Sequence, residues 1–89
     1  MMFVIKDQTH AEFLDGEFQE YEEALEELKR LATIPWDEKP NKAPCTSWKA
    51  CGRKFEIVEY DNSSTAWKEI SRIPILEIKA SGVKWLTST

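Results

Sequence analysis

The sequence predicts a small α+β protein in which one helix packs on a mostly antiparallel sheet. Apolar residues recur at helical spacing between residues 20 and 33, and short runs of β-branched and aromatic residues lie on both sides of that segment. The expected order is ββαββ-like, with a long loop after the helix and a C-terminal β-hairpin. A chain of 89 residues is expected to form one domain, residues 1–89.

The helix is indicated by an apolar stripe with charged residues between its members. Acidic residues stand at its start and Lys29 and Arg30 near its end, which suits the helix dipole. No Ser, Thr, Asn or Asp occupies the expected N-cap position. Pro35 is expected to end the helix because it disfavours helical geometry at Ile34. The stripe consists of Tyr21, Ala24, Leu25, Leu28, Leu31 and Ala32.

Two or three short strands are predicted before the helix. Residues 2–6 and 11–14 have strand-like composition and are separated by a polar turn. Asp15 and Gly16 form a hairpin signal that would start a third strand at 17–19. Alternatively, the second strand continues through a bulge at Gly16.

Three further segments after the helix have strand character. Residues 53–60 and 71–79 are predicted as strands, and 83–86 as the last strand of a hairpin. Residues 65–70 fit either a single helical turn or an edge segment. Pro74 is expected at an edge or at a strand start, because it cannot donate to a ladder. The predicted core is Phe3, Ile5, Tyr21, Leu25, Leu28, Leu31, Phe55, Ile57, Ile75 and Ile78.

The charges are distributed unevenly along the chain. Residues 1–38 carry a net charge of −8 and residues 39–54 a net charge of +5, against −4 for the whole chain. The two regions could contact each other within one fold or between copies, and we favour compensation within the fold. No apolar run approaches the roughly 20 residues that cross a bilayer, and the N-terminus lacks signal-peptide character, so we expect a cytoplasmic protein.

The segment from 34 to 52 is the most informative part for function. It contains three prolines and no regular period, and long loops in small domains are often functional. We therefore predict a non-enzymatic protein-interaction or self-associating module that uses the Trp- and Lys-rich loop 36–54. An apolar patch around Trp67 and Trp85 is a further candidate for self-association. The candidate binding surface comprises Trp36, Trp48, Lys49 and Arg53.

Cys45 and Cys51 suggest an alternative, thiol-dependent function. Their C-x5-C spacing matches neither a zinc ribbon nor a thioredoxin-like motif, and we predict no metal or cofactor site. A disulfide between them is conceivable. Lys49 and Arg53 would favour a thiolate at Cys51, which leaves redox or nucleophilic activity open. His10 is the single histidine available as a base, and we expect it to be solvated on a turn.

Weak nucleic-acid binding through the basic loop is a second alternative. Lysine, arginine and aromatic residues together favour contact with phosphates and bases. However, the sequence pI is about 5.0, and we find no nucleic-acid-binding motif, so this alternative is disfavoured. The helix carboxylates are expected to be solvated, since no Gly-rich phosphate loop or paired acid–base arrangement accompanies them.

Overall fold

The structure is a computed structural model that describes residues 1–42 and 52–86. One helix packs on a five-stranded antiparallel sheet with strand order β2-β1-β3-β4-β5, so the predicted α+β fold and C-terminal hairpin are confirmed. The elements are β1 (Met2–Asp7), β2 (Glu12–Phe13), α1 (Tyr21–Leu31), β3 (Arg53–Asp61), β4 (Lys68–Lys79) and β5 (Gly82–Trp85).

The helix follows the predicted stripe. Ala24, Leu28 and Leu31 are fully buried, while Tyr21 and Leu25 are partly buried against the same core. Helix contacts with β1 and β3 show that this stripe covers the middle of the sheet. Apolar periodicity alone was therefore enough to orient the helix.

Both ends of the helix carry side-chain hydrogen bonds, and a capping box forms at the N-terminus with Glu20 in place of the usual Ser or Thr. Glu20 is the N-cap, and its backbone N–H donates to Glu23 Oε1 at 3.1 Å. At the other end, Asn41 Nδ2 donates to the carbonyl oxygens of Leu31 and Ile34, each at 2.9 Å. The Glu20–Glu23 bond is one half of the capping box, and the two bonds from Asn41 hold the chain that follows the helix against the C-terminal end of the helix.

The sheet has a helix side and a second face. Side chains alternate along each strand, so cross-strand partners share a face. Ile5, Ile57 and Ile73 form one such row beneath the helix. Val4 and Val58 form the adjacent row on the second face, and both are buried.

The chain between β2 and the helix forms a bulge instead of a hairpin. Phe13 lies opposite Lys6 of β1, and Phe18 bridges to Phe3 of the same strand. Five positions separate the two phenylalanines, while three separate their partners on β1, so two residues are extra. The bulge alternative is therefore confirmed, with Gly16 at a φ of 109°.

Strand β4 is longer than predicted. It begins at Lys68, so part of the 65–70 segment belongs to it and no helical turn forms there. Pro74 lies within the strand, beside a register shift opposite Phe55 and Glu56 and beyond the residues that pair with β5. A bulge is one of the few sheet positions that accept proline.

The core agrees with the prediction on the helix side. Among the predicted residues, Phe3, Tyr21 and Leu25 are partly buried and the remainder are buried. Within the described ranges, no helix is long and apolar enough to cross a membrane. The buried apolar residues that are missing from the predicted core are Val4, Ala24, Val58 and Leu76.

Candidate functional site

Two regions of the molecule concentrate polar or aromatic groups. The first, which we call the Asp7–Arg53 cluster, consists of Asp7, His10, Glu12 and Arg53 where β1, β2 and β3 meet. The second, which we call the aromatic groove, lies on the second face of the sheet and is lined by Phe13, Tyr60 and Trp67. They differ in how their charges are satisfied.

Asp7 is a fully buried carboxylate with four hydrogen-bond donors around it. Its Oδ1 accepts the backbone N–H groups of Thr9 and Lys54, each at 3.1 Å. Its Oδ2 lies 2.6 Å from His10 Nδ1 and 3.0 Å from Arg53 Nη1. Donors on both oxygens compensate for the water that this carboxylate lost on burial.

Arg53 supplies the positive charge of the cluster. Its Nη1 donates to both Asp7 and Glu12, at 3.0 and 2.8 Å. Its Nε and Nη2 donate to the carbonyl oxygens of Asn41 and Lys42, at 3.2 and 2.8 Å. Arg53, from the basic segment 39–54, thus neutralises Asp7 and Glu12 of the acidic N-terminal region within the same fold.

This arrangement changes the interpretation of two residues. Arg53 was predicted to belong to a binding surface, but it is 5% exposed and donates to internal partners. His10 was predicted to be solvated, and that prediction is wrong, since its side chain is 12% exposed and contacts Asp7. Neither contact could be recognised from the sequence, because Arg53 and Asp7 are distant along the chain and His10 is placed beside Asp7 by a turn.

The remaining predicted site residues have mixed outcomes. Trp36 is partly buried and packs against the core. It lines a cavity of about 270 Å³ between the helix end and the β4–β5 hairpin, together with Val83. The other candidates, Trp48, Lys49, Cys45 and Cys51, lie outside the described residues.

The aromatic groove is a cavity of about 370 Å³ above Val4. Trp67 and Tyr60 lie on one side, with ring centroids 5.8 Å apart and planes tilted by 49°. Phe13 lies on the other side, with Lys6 Nζ 5.2 Å from its ring centroid. The lining residues are Val4, Phe13, Leu14, Asp15, Gly16, Glu17, Tyr60 and Trp67.

The groove is elongated. Phe13 pairs opposite Lys6, whereas Tyr60 pairs opposite Met2, so the two aromatic positions are offset along β1 by four residues. At about 3.3 Å per residue, this offset is roughly 13 Å. Phe13 and Trp67 remain 50% and 43% exposed, so the groove is open to solvent.

Its polar lining is acidic. The bulge places the exposed carboxylates of Asp15 and Glu17 at the groove, and none of the described residues that line it is basic. Across the described part of the chain, neither carboxylate forms an ion pair with a lysine, arginine or histidine. The groove therefore combines aromatic surface with two carboxylates that form no ion pair with a described residue.

A further cavity of about 310 Å³, which we call the helix-side cavity, lies on the helix side of β2. Glu12, Asp15, Glu27 and Arg30 provide its charged lining. Arg30 donates to both carboxylate oxygens of Glu27, at 2.7 and 2.8 Å, and these bonds lower the pKa of Glu27. Residues 13–15 line both cavities, so the two flank the same edge of the sheet.

The centre of the second face, by contrast, is closed. Arg72 donates to buried Glu56 at 3.0 Å and to Glu69 at 2.6 Å, and Val58 beside it is fully buried. The hydrogen bond from Arg72 also lowers the pKa of Glu69. Open aromatic surface on this face is therefore found at the β2 end, around Phe13 and Trp67.

Sequence reasoning identified Trp67 as exposed but missed the groove that it lines. The available signal was the bulge alternative at Gly16, because a bulge displaces side chains from the sheet plane. The partners Phe13 and Tyr60 are far apart in sequence and meet only through strand pairing. Comparison with protein-family models, with curated proteins and with solved structures found no match to this chain.

Proposed function

We propose that this protein is a non-enzymatic interaction module that binds a protein partner in the aromatic groove. One observation carries the proposal: three aromatic side chains line an open cavity of about 370 Å³. Exposed aromatic residues clustered in a depression are typical of binding hot spots, because they bury much area at little entropic cost.

The groove is a better candidate than the part of the 36–54 loop that the structure describes. Arg53 is committed to internal partners, and Trp36 is partly buried against the core. Phe13 and Trp67 have large exposed surfaces and no comparable internal task. A partner that covered them would remove apolar area from water, which is a major favourable term in association.

The polar groups at the groove support binding more than catalysis. Its carboxylates are exposed on a bulge, whereas nucleophilic catalysis needs a base that a third group orients. The described residues include one such oriented base, His10 beside Asp7, and it lies in the other region. The groups at the groove are therefore sufficient for binding a partner, whereas nucleophilic catalysis there would need an oriented base in addition.

The test is site-specific photocrosslinking in the cells that make the protein. A benzophenone side chain would replace Phe13 in the groove and, as the matched control, Val83 on the far edge strand. We expect adducts from position 13 and not from position 83. The captured protein would then be purified, and Trp67→Ala should weaken its binding at least about tenfold.

The control variant is Trp85→Ala, since Trp85 is 45% exposed and lies on the opposite edge of the sheet. It should leave the affinity unchanged. Equal crosslinking from both positions, or equal losses for Trp67→Ala and Trp85→Ala, would overturn the proposal. An adduct with a second copy, together with dimers in sedimentation analysis, would identify the partner as the protein itself.

Thiol-dependent activity at Cys51 is a second candidate, favoured by the geometry of His10. The 2.6 Å contact with Asp7 fixes the imidazole ring, which is the arrangement that orients a general base. Cys51 directly precedes Gly52, where the described chain resumes. Its alkylation by iodoacetamide should then show a midpoint well below ~8.5 that rises in His10→Asn, with Cys45→Ser as the background. A midpoint near ~8.5 would reject this candidate.

A further inference from the structure

We infer that the aromatic groove and the helix-side cavity together bind a basic, extended segment of a partner protein across the edge of β2. This inference rests on the proposed function and specifies the chemistry of the partner. It is argued from the charge of the two cavities, from the aromatic surface between them, and from the unpaired edge that they share.

The charge of the two cavities favours a cationic ligand. Asp15 and Glu17 have no basic residue beside them among the described residues that line the groove. In the helix-side cavity, Arg30 is bound to Glu27 and Arg53 to Glu12, so Asp15 is the carboxylate there that forms no ion pair with a described residue. A lysine or arginine side chain would relieve this excess of negative charge, whereas a polyanion would be repelled.

The aromatic surface favours the same ligand. A cation within about 6 Å of an aromatic ring is attracted by the negative face of the ring, and arginine also stacks on it. Lys6 already occupies the Phe13 ring in this way, with Nζ 5.2 Å from the centroid, so the rings that remain for a ligand cation are those of Trp67 and Tyr60. Trp67 and Tyr60 present further rings at the opposite end of the groove.

The strand pairing explains why the segment should be extended. Leu14 donates its N–H to Ile5, so the alternation of an antiparallel pair directs the N–H and C=O of Phe13 away from β1. Within the described chain, these two groups have no backbone partner. An added strand could pair with them, as in β-strand addition.

The positions of the cavities fit such a strand. Successive side chains of an extended segment point to opposite faces of the sheet. The aromatic groove and the helix-side cavity lie on opposite faces and share residues 13–15. Neighbouring basic side chains of one segment can therefore enter both cavities, which a helix or a compact turn would not achieve.

The experiment uses the full-length protein and two capped peptides. The probe contains paired arginines separated by threonines, and the matched peptide has citrulline in place of every arginine. Citrulline keeps the shape of arginine and removes its charge. Calorimetry at low salt should show binding of the arginine peptide, at least about tenfold weaker binding of the citrulline peptide, and a decline with rising salt.

Two variants locate the site. Asp15→Asn combined with Glu17→Gln should weaken the arginine peptide about fivefold or more while leaving the citrulline peptide unaffected. Glu22→Gln removes an exposed helix carboxylate that lines neither cavity, and it should have no effect. The far-ultraviolet circular dichroism of each variant would verify that it folds.

The outcomes separate this inference from the proposed function. Equal binding of both peptides that Trp67→Ala abolishes would overturn the basic ligand and keep the groove as an interaction site. Arginine-peptide binding that is insensitive to Trp67→Ala and to the double variant would overturn both proposals. No binding of either peptide at millimolar concentration would overturn the inference, while the crosslinking result would still decide the proposed function.

The chain's own basic segment, residues 39–54, is a competitor of the arginine peptide for the two cavities when it comes from a second copy. Residues 39–54 carry a net charge of +5 and contain no acid. If a second copy filled the cavities with this segment, the protein would associate at low salt, and the arginine peptide would dissociate the assembly. Such an assembly would replace a heterologous partner with a second copy and overturn the inference as stated.

Discussion

The Asp7–Arg53 cluster and the aromatic groove both bring acidic residues together, but only the cluster neutralises them. In the cluster, Asp7 is 0% exposed and lies 3.0 Å from a guanidinium nitrogen. In the groove, Asp15 and Glu17 are exposed, and the described residues that line the cavity with them include no base. The comparison teaches that the internally satisfied charges maintain the fold and that the unsatisfied charges are available to a ligand.

The largest effect should come from removing the cation of the cluster. Arg53→Met leaves Asp7 buried without its charge partner, which should destabilise the protein by about 3–5 kcal/mol. Urea denaturation would measure the loss. The control is Arg30→Met, because the Arg30 side chain is 59% exposed and its loss should have a much smaller effect. Equal losses would show that the cluster does not hold the fold.

A second test concerns the backbone beside the cluster. Gly52 has a φ of 81°, and a Cβ there would lie 2.7 Å from the carbonyl oxygen of Ile78. Gly52→Ala should therefore cost about 1–3 kcal/mol. Gly82 also has a positive φ, of 134°, but open space around it, so Gly82→Ala isolates the cost of strain without collision. The larger loss is expected for Gly52→Ala, and the reverse order would contradict this reason.

A smaller effect on stability is expected from the ion pair between Arg30 and Glu27 at the helix-side cavity. The hydrogen bonds from Arg30 lower the pKa of Glu27 below its unfolded value, so the pair stabilises the protein above that value. Arg30→Gln should destabilise the protein only slightly at neutral pH, because the pair is exposed and screened by solvent. The difference from the wild type should vanish as the pH falls through the folded pKa of Glu27. A difference that persists in acid would indicate another origin.

The smallest change in stability should follow neutralisation of the groove. Asp15→Asn combined with Glu17→Gln removes two exposed charges that have no internal partner, so unfolding should shift by no more than about 0.5 kcal/mol. The same variant is expected to lose affinity for the arginine peptide. A large loss of stability would show that these carboxylates belong to the fold, and the contrast with Asp7 would disappear.

Local patterns were sufficient for the elements and for the face of the helix that is buried. The spacing of Leu28 and Leu31 predicts the helix, and the composition around Ile57 and Ile78 predicts central strands. Such signals lie within a few residues of each other, so they can be recognised without knowing how the strands pair. The hairpin at Gly82 follows from the same kind of local signal.

Neither candidate region could be recognised from local patterns. Asp7 and Arg53 are 46 positions apart, and their contact depends on the pairing of β1 with β3. Arg53 therefore looked like a loop cation, although it is buried. The groove forms because strand pairing brings Phe13, Tyr60 and Trp67 together around β1. It also requires that the chain after Phe13 forms a bulge and not a hairpin.

The sequence by itself determined the α+β class, the amphipathic helix and the uneven distribution of charge, because each follows from residue type and spacing along the chain. Only the tertiary structure decided which charges are neutralised and which remain exposed. The physical reason is that burial and pairing depend on strand register, and register brings together residues that no local pattern connects.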